Sequence, residues 1–462
     1  MIKSRNRITI FNIASTVILQ GLAFFSGPIF SSMLGTNNYG IASVYLTWVQ
    51  LASTVFSLQA GSAVAIARVT FPKDDQPHYQ SSVLSLAAIS YIGFSAIIII
   101  GAIVVSHRIS LSLAMVLLGL AHGWGMYTIS FVNLKFTYEF KADKNFILSV
   151  IISLSTIVLS IILINLFPET ENYWGRLIGQ SAVYVTAGLL MFIYVVYSGK
   201  TIVSREYWKF TLPITIPTVF HLLANLVLNQ SDRVMLQGMV SNSAAGIYAL
   251  SCTFGAVLNT IWSAFNNSWV PFYYEYTRQK QIEEMKKHAR NYLEVFTIIA
   301  MGFILLSREV FHIYANRSFW EGTDLIPLFS IGYYFVFLYS FPVNYEFYNK
   351  KTKTIAFGTT SAAICNIALN YMLIKIMGIQ GAVIATAIAH GLQFGFHFLC
   401  AKRINPGEFP FNMMDFVPNF LMVCATCVIY WFTKDFWLVR WGIGAGLGVY
   451  LLVKIIKRRE IF

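Results

Sequence analysis

The chain has 462 residues, of which 56% are hydrophobic and only 11% are charged, and its mean hydropathy is +0.62. Charged residues make up about a quarter of an ordinary soluble domain, so this composition excludes that class and favours an integral membrane protein. The net charge of +13 would also suit a nucleic-acid-binding protein, but the distribution of that charge favours a membrane topology and no nucleic-acid partner.

Apolar stretches long enough to cross a bilayer as helices recur along the whole chain. We predict fourteen, which are, in chain order, 8–33, 39–66, 80–106, 109–131, 146–166, 172–198, 211–237, 244–270, 291–315, 322–344, 354–376, 381–401, 416–432 and 436–455. The charged connection from Tyr273 to Arg290 is predicted to form a separate amphipathic helix at the membrane surface. The expected fold is therefore an all-α integral membrane protein with about fourteen transmembrane helices.

Lysine and arginine are divided unequally between the two sides of these spans. If the N-terminus is cytoplasmic, 25 of the 33 lie on the cytoplasmic side, seven lie on the opposite side, and Arg233 lies within a span. This excess follows the positive-inside rule. We therefore expect a multi-pass protein with both termini in the cytoplasm, in which the first apolar run is a retained helix and not a cleaved signal peptide.

Landmarks of the sequence recur at an almost constant spacing. Gly175 and Gly381 lie 206 residues apart in similar contexts, and Tyr138-Glu139-Phe140 returns as Tyr345-Glu346-Phe347. A duplicated hydrophobic chain is typical of transporters, and repeats with an even number of spans enter the membrane from the same side. The spacing thus predicts two parallel-repeat six-helix lobes around a central cavity.

The same spacing predicts where these parts begin and end. The N-terminal lobe is expected at 1–204 and the C-terminal lobe at 205–403, followed by the additional helices 13 and 14 and a cytoplasmic tail at 404–462.

Motifs for metal binding and for covalent catalysis are lacking in the sequence. Cys424 and Cys427 form a C-x-x-C pair, but a position in the middle of an apolar span favours helix packing over redox chemistry. No Cys/His cluster has the spacing of a metal site, and no loop is large enough for a soluble catalytic domain. We expect no metal, no cofactor and no enzymatic activity.

An ordered set of motifs supplies a resemblance that covers essentially the whole chain. Pro213 opens span 7, Asp232-Arg233 precedes Gly246-Ile247-Tyr248-Ala249, and Asn366 and Asn370-Tyr371 precede the segment from Gly378 to Thr386. With its layout of twelve helices plus two, the chain resembles the polysaccharide-transporter branch of the multidrug/oligosaccharidyl-lipid/polysaccharide exporter superfamily.

The resemblance implies a flippase in the bacterial inner membrane. Such proteins move undecaprenyl-diphosphate-linked oligosaccharide repeat units from the cytoplasmic to the periplasmic leaflet by alternating access, for O-antigen (lipopolysaccharide) or capsule assembly. The implied partners are this lipid-linked glycan, membrane lipid, a coupling H⁺ or Na⁺, and polysaccharide polymerase and chain-length proteins.

Two related functions stay open. A peptidoglycan lipid-precursor flippase would carry a substrate with the same lipid diphosphate. A cation-coupled drug or solute antiporter of the same superfamily usually holds acidic residues deep within several spans. Here Asp232 is the acid that lies clearly within a span, and Glu294 lies close to the start of one.

Ionisable residues inside apolar spans are the first candidates for a functional site. Asn225, Asn229 and the pair Asp232-Arg233 recur at helical spacing and predict one polar stripe on span 7. Arg233 is a candidate for binding phosphate, because guanidinium binds phosphate through two parallel hydrogen bonds. A purely structural Asp-Arg pair is the competing interpretation.

Other charged residues lie closer to the predicted ends of spans. Arg68 and Lys375 are candidate substrate contacts, although both cations could instead extend to the lipid headgroups. Asp232, Glu294 and His221 are candidates for coupling a cation, and Glu294 is also expected near the membrane surface. Arg176 is expected to have a surface role.

Gating or structural roles are predicted for four further residues. Glu139 and Glu346 belong to the repeated tripeptide, which suggests matched roles in the two halves. Pro213 and Pro217 lie in span 7, where proline removes backbone hydrogen bonds and favours a bend.

Overall fold

The structure, a computed structural model, describes residues 2–105, 112–405 and 408–458. Arg108 and residues 459–462, which enter the charge count above, lie outside these ranges. No strand occurs within the described ranges. Each of the fourteen predicted apolar stretches is mainly helical there, which confirms the all-α fold.

The helices follow one another through short connections. They are α1 Ile2–Phe56, α2 Val64–Thr70, α3 Gln76–Val105, α4 Leu113–Tyr138, α5 Ala142–Ile164, α6 Tyr173–Gly199, α7 Arg205–Met239, α8 Asn242–Gln279, α9 Ile282–Tyr314, α10 Ile326–Tyr348, α11 Thr352–Met377, α12 Ile379–Ile404, α13 Val417–Thr433 and α14 Trp437–Arg458. Short 3₁₀ segments cover Ala60–Ala63, Arg317–Leu325 and Met413–Asp415.

The first two predicted spans lie within α1, which is interrupted once. Gly35 has φ 64° and ψ 179°, outside the helical region. A positive φ of this kind is readily adopted only by glycine. The second span then bends by 52° before Ala60 and ends in α2.

Most of the helices can cross a membrane. Nine helices within the described ranges are long and apolar enough, or ten if the bent pair Phe24–Phe56 and Ala60–Thr70 forms one span. The predicted thirteenth span, α13, is an apolar helix of 17 residues. The chain is therefore a multi-pass membrane protein.

The predicted surface helix between spans 8 and 9 is wrong. α8 continues to Gln279 and α9 begins at Ile282, so the two long helices themselves contain this charged segment. Ion pairs one turn apart stabilise the start of α9, with Lys286 Nζ 3.4 Å from Glu283 Oε1. Such pairs support a continuous helix beyond the apolar region.

The chain forms two compact units, Met1–Gln230 and Ser231–Phe462. The division falls within α7, between its polar residues Gln230 and Ser231. The boundary near residue 205 refers to the sequence repeat, and it stays a prediction.

Two glycines separated by one repeat length occupy equivalent packing positions. A Cβ atom at Gly175 of α6 would meet the backbone of Ile164 at the end of α5. A Cβ atom at Gly381 of α12 would meet the backbone of Leu373 in α11. The repeat thus contains a helix pair whose backbones approach too closely for any side chain.

We expect Gly175→Ala and Gly381→Ala each to destabilise the protein by about 1–3 kcal/mol, because overpacking forces the two backbones apart. Gly93→Ala in α3 is the matched control, since its added methyl group meets no atom within 4 Å. That substitution should stabilise the helix by up to about 1 kcal/mol. Thermal unfolding of the purified protein in detergent checks the prediction, which fails if the three variants are equally stable.

Aromatic side chains form the core of the second unit. Trp269 of α8, Tyr292 and Phe296 of α9, and Phe337 and Phe341 of α10 are fully buried together. The ring centroids of Phe296 and Phe337 lie 4.2 Å apart. Stacked and edge-on rings of this kind add to the energy of burial.

A buried arginine attaches α14 to α9. Arg440 is fully buried, pairs with Glu309, and donates to the carbonyl oxygens of Leu305 at 3.0 Å and of Thr433 and Lys434 at 3.1 Å. These bonds satisfy much of the guanidinium group, as a buried charge requires.

The expected surface role of Arg176 is wrong. Its side chain is buried near the start of α6, with the guanidinium carbon 4.4 Å from the ring centroid of Phe30 and 4.9 Å from that of Tyr39. A cation over two aromatic faces is stabilised inside the unit by the ring quadrupoles.

Candidate functional site

Asp232 lies at the centre of a buried polar cluster, of which the sequence predicted only a part. It lies on α7 and is only 1% exposed. Its carboxylate accepts hydrogen bonds from the Tyr248 hydroxyl of α8, the Asn370 amide of α11, and the Thr386 hydroxyl of α12, the last at 2.9 Å. Three helices of the second unit, α8, α11 and α12, therefore converge on a carboxylate in the part of α7 that belongs to that unit.

A second layer of hydrogen bonds holds these donors in place. The Asn366 amide donates to Thr386 Oγ1 at 3.1 Å. The Asn366 carbonyl oxygen accepts from Asn370 Nδ2 at 3.0 Å and from Ser231 Oγ at 3.2 Å. Asn366 and Asn370 are both fully buried. In this arrangement, the donors of Asn370 and Thr386 are directed at the Asp232 carboxylate.

This direction of donors is what an ionised carboxylate needs, because it can only accept hydrogen bonds. The carbonyl oxygen of Asn370 has no hydrogen-bond partner among the described residues. Carboxylate, hydroxyl and amide oxygens are the ligands that hard cations prefer, although here the Asn370 amide nitrogen faces Asp232. Within the same residues, no group of three or more His, Cys, Asp or Glu side chains could hold a metal ion.

Arg233 follows Asp232 on α7 and is half-buried. Its positive charge interacts favourably with the Asp232 carboxylate. The two residues thus place one anionic and one cationic group side by side within an apolar helix.

The rest of the predicted stripe makes contacts within α7. Asn225 Nδ2 lies 3.1 Å from His221 Nε2 and 3.2 Å from the His221 carbonyl oxygen. Asn229 is exposed and donates to the Asn225 carbonyl oxygen at 2.7 Å. Pro213 and Pro217 lie inside the same helix and are exposed.

The partners of Asp232 were not predicted as site residues. Tyr248, Asn366, Asn370 and Thr386 contributed only to the family resemblance. A usable signal was present, because Asn366 and Asn370 lie one helical turn apart in an apolar span, where polar side chains commonly bond between helices.

The remaining cationic candidates lie in different environments. Lys375 is exposed, and its ammonium lies 2.6 Å from the Tyr371 hydroxyl and 3.9 Å from the ring centroid. Arg68 belongs to the first unit, where it lines a polar cavity and lies 5.2 Å from the ring centroid of Phe140.

Glu294 of α9 faces α14. Its carboxylate accepts from the Tyr450 hydroxyl at 2.7 Å and forms an ion pair with Lys454. These contacts connect the two helices in a region that is partly exposed.

The two repeated glutamates have different partners. Glu139, between α4 and α5, accepts from Lys135 Nζ at 2.7 Å and from Lys141 Nζ at 2.6 Å. Burial alone would raise the pKa of Glu139, but the hydrogen bonds and charges of the two lysines outweigh it and lower the pKa below its usual 4.5. Glu346 instead contacts His397 Nδ1 at 2.7 Å, and both side chains are fully buried.

The sequence matches the protein family described as polysaccharide biosynthesis protein over residues 7–277. It is similar to a protein of Haemophilus influenzae described as "Lsg locus putative protein 1", with 22% identity over 384 residues, 79% of this chain and 92% of that protein.

Two solved structures show the same kind of fold. The lipid II flippase MurJ in an inward closed conformation has a TM-score of 0.69 and 16% identity, covering 98% of each chain. An inward-facing multidrug resistance MATE family transporter of the MOP superfamily has a TM-score of 0.61 and 14% identity, covering 88% of this chain and 95% of that one. At these identities the likeness concerns the fold alone.

Proposed function

Since this chain belongs to the family of polysaccharide biosynthesis proteins, we propose that it is a flippase for undecaprenyl-diphosphate-linked oligosaccharide repeat units. It moves them from the cytoplasmic to the periplasmic leaflet of the bacterial inner membrane by alternating access, for O-antigen or capsule assembly. In the topology that we propose for this flippase, both termini lie in the cytoplasm. Family membership is the observation that carries this proposal.

The physical task explains why such a chain needs polar groups inside apolar helices. A diphosphate and a glycan must pass through hydrocarbon, where an unsatisfied polar group is very costly. No bond of the substrate has to break, so the protein needs binding groups and not a nucleophile. Arg233 suits this task, because its guanidinium can bind phosphate through two parallel hydrogen bonds.

We infer that Asp232 binds the coupling cation, H⁺ or Na⁺. A cation at the carboxylate would neutralise it, and the Asn370 carbonyl oxygen, which has no hydrogen-bond partner among the described residues, would become a further ligand if the side-chain amide turned over. Neutralising Asp232 would also weaken its attraction for Arg233. A less strongly attracted guanidinium would be more available to a substrate phosphate, which would couple cation binding to substrate binding.

The remaining proposals concern assembly and organisation. Polysaccharide polymerase and chain-length proteins are the expected neighbours in the membrane, since they act on the translocated repeat unit.

The lobes at 1–204 and 205–403 are proposed as duplicated halves. We also propose secondary sites for substrate or ion at Arg68, Lys375, Glu294 and His221.

A reconstituted assay tests the function. Proteoliposomes should expose a fluorescent lipid-diphosphate oligosaccharide to a membrane-impermeant reagent faster than protein-free liposomes do. A peptidoglycan lipid precursor and a cationic drug serve as parallel substrates. Faster movement of either of these than of the oligosaccharide would overturn the proposal in favour of that alternative.

The same assay tests the role of Arg233. Arg233→Ala is expected to slow translocation by about tenfold or more, since a charge-assisted hydrogen bond contributes about 1.5–3 kcal/mol. Arg233→Lys should keep part of the rate, because lysine retains the charge but not the paired donors. If both variants translocate at the rate of the unmodified protein, Arg233 does not bind phosphate.

A further inference from the structure

A cationic cavity lies in the first unit, on the side predicted to be cytoplasmic. It has a volume of about 470 Å³ and is lined by residues at the ends of several helices. The charged residues that line it are Arg68, Lys73, Lys135, Lys141 and Glu139. Four cations and one carboxylate give the lining a formal net charge of +3.

The single carboxylate does not neutralise this cavity. Glu139 is shared between Lys135 and Lys141, at 2.7 Å and 2.6 Å. Lys135 is buried and also donates to Gln80. This cluster is therefore a fixed structural base that still carries one positive charge.

Arg68 and Lys73 supply the other two charges. Arg68 lies over the ring of Phe140, a contact that orients the guanidinium without neutralising it. Lys73 is exposed. The acidic residues that follow it, Asp74 and Asp75, are not among the residues that line the cavity.

One further feature favours an anion there. Gln76 and Pro77, the first residues of α3, line the cavity, so the positive end of that helix dipole contributes to it. Tyr194 and Ser198, near the end of α6, also line the cavity, and the Ser198 hydroxyl donates to the Val195 carbonyl oxygen at 3.0 Å.

Exposed apolar side chains adjoin residues that line this cavity. Val69 next to Arg68 is 85% exposed, Phe140 next to Glu139 is 67% exposed, and Tyr197 next to Ser198 is 78% exposed. Exposed apolar surface of this kind favours contact with a membrane. A ligand that fills both environments has an anionic head and an apolar tail.

We propose that this cavity binds the phosphate headgroup of an anionic membrane lipid. Lys135 and Lys141, held by Glu139, form its base, and Arg68 and Lys73 close on the phosphate from the opening. The exposed apolar side chains contact the acyl chains. The inference does not depend on the transported substrate, because it concerns a lipid bound at the surface of the first unit.

The test compares lipid binding by variants of the full-length protein in detergent. Arg68→Gln/Lys73→Gln is the informative variant, because neither residue takes part in the ion pairs that support Glu139. Each lysine or arginine near an anionic headgroup raises the binding affinity roughly fivefold, so the double variant should bind phosphatidylglycerol about 25-fold more weakly than the unmodified protein does. Lys350→Gln/Lys353→Gln, which removes two exposed lysines from the other unit, is the matched control and should bind like the unmodified protein.

Native mass spectrometry with phosphatidylglycerol, phosphatidylcholine and inorganic phosphate separates the outcomes. Selective retention of phosphatidylglycerol by the unmodified protein and by the control variant supports the proposal. If Arg68→Gln/Lys73→Gln and Lys350→Gln/Lys353→Gln lose phosphatidylglycerol binding equally, the lipid is attracted non-specifically by positive charge and the proposal is overturned. Displacement of phosphatidylglycerol by inorganic phosphate at the same concentration would overturn the lipid assignment.

Discussion

Replacing Asp232 with asparagine is expected to lower the rate of oligosaccharide translocation by about tenfold or more, within the range that coupling free energies span. The substitution keeps the shape of the side chain but removes its charge. A neutral amide can neither attract a coupling cation nor modulate Arg233. The measurement is translocation in proteoliposomes at several Na⁺ concentrations and pH values.

The surrounding donors also predict a loss of stability. An amide group at position 232 has only one acceptor oxygen, whereas Tyr248, Asn370 and Thr386 all donate to the carboxylate. Leaving a buried donor unsatisfied costs about 1–3 kcal/mol. We therefore expect Asp232→Asn to unfold at a lower temperature than the unmodified protein.

Two variants separate the charge from the hydrogen bonds. Tyr248→Phe removes one donor but keeps the carboxylate, so it should lose stability and retain the dependence of transport on the cation. Asp74→Asn removes an exposed carboxylate and should leave both quantities unchanged. If Asp232→Asn keeps a cation-dependent rate equal to that of the unmodified protein, Asp232 is not the coupling site.

Replacing His397 with leucine is expected to destabilise the second unit by about 1–3 kcal/mol, the usual cost of leaving a buried polar group without its hydrogen-bond partner. Glu346 and His397 are both fully buried on α10 and α12. Without the imidazole, the buried Glu346 carboxyl group would lose its hydrogen-bond partner. Thermal and denaturant unfolding in detergent measure the loss.

The double variant Glu346→Met/His397→Leu should recover most of this loss. Replacing both partners of a buried pair with apolar residues of similar size is often neutral or stabilising. Glu139→Gln, at the equivalent position of the sequence repeat, should have a smaller effect of about 1 kcal/mol, because Glu139 is partly solvated. A His397→Leu variant that unfolds like Glu139→Gln would show that the buried pair contributes little.

Hydropathy and charge predicted most of the fold. A helix in lipid must satisfy all its backbone hydrogen-bonding groups within the segment itself. Local composition is therefore enough to indicate each apolar helix. The segment between spans 8 and 9 shows the limit of this argument. Its charges indicate that it leaves the membrane, but i, i+3 ion pairs allow α9 to start there as part of one continuous helix.

Asp232 was predicted because a carboxylate in an apolar span is conspicuous in the sequence. Its partners were not predicted, since Tyr248, Asn370 and Thr386 lie 16, 138 and 154 residues further along the chain. Asn225 and Asn229 were grouped with Asp232 by helical spacing. In the structure their amide groups bond within α7.

The sequence by itself determined that this chain is an all-helical membrane protein, where its apolar helices lie, and which family it resembles, because hydropathy, charge and motif order are properties of contiguous residues. Only the tertiary structure decided which polar groups meet. The repeated Tyr-Glu-Phe places Glu139 among lysines in one unit and Glu346 beside His397 in the other. The same tripeptide acquires different chemistry, because Glu139 pairs with lysines of its own segment whereas the partner of Glu346 comes from a neighbouring helix.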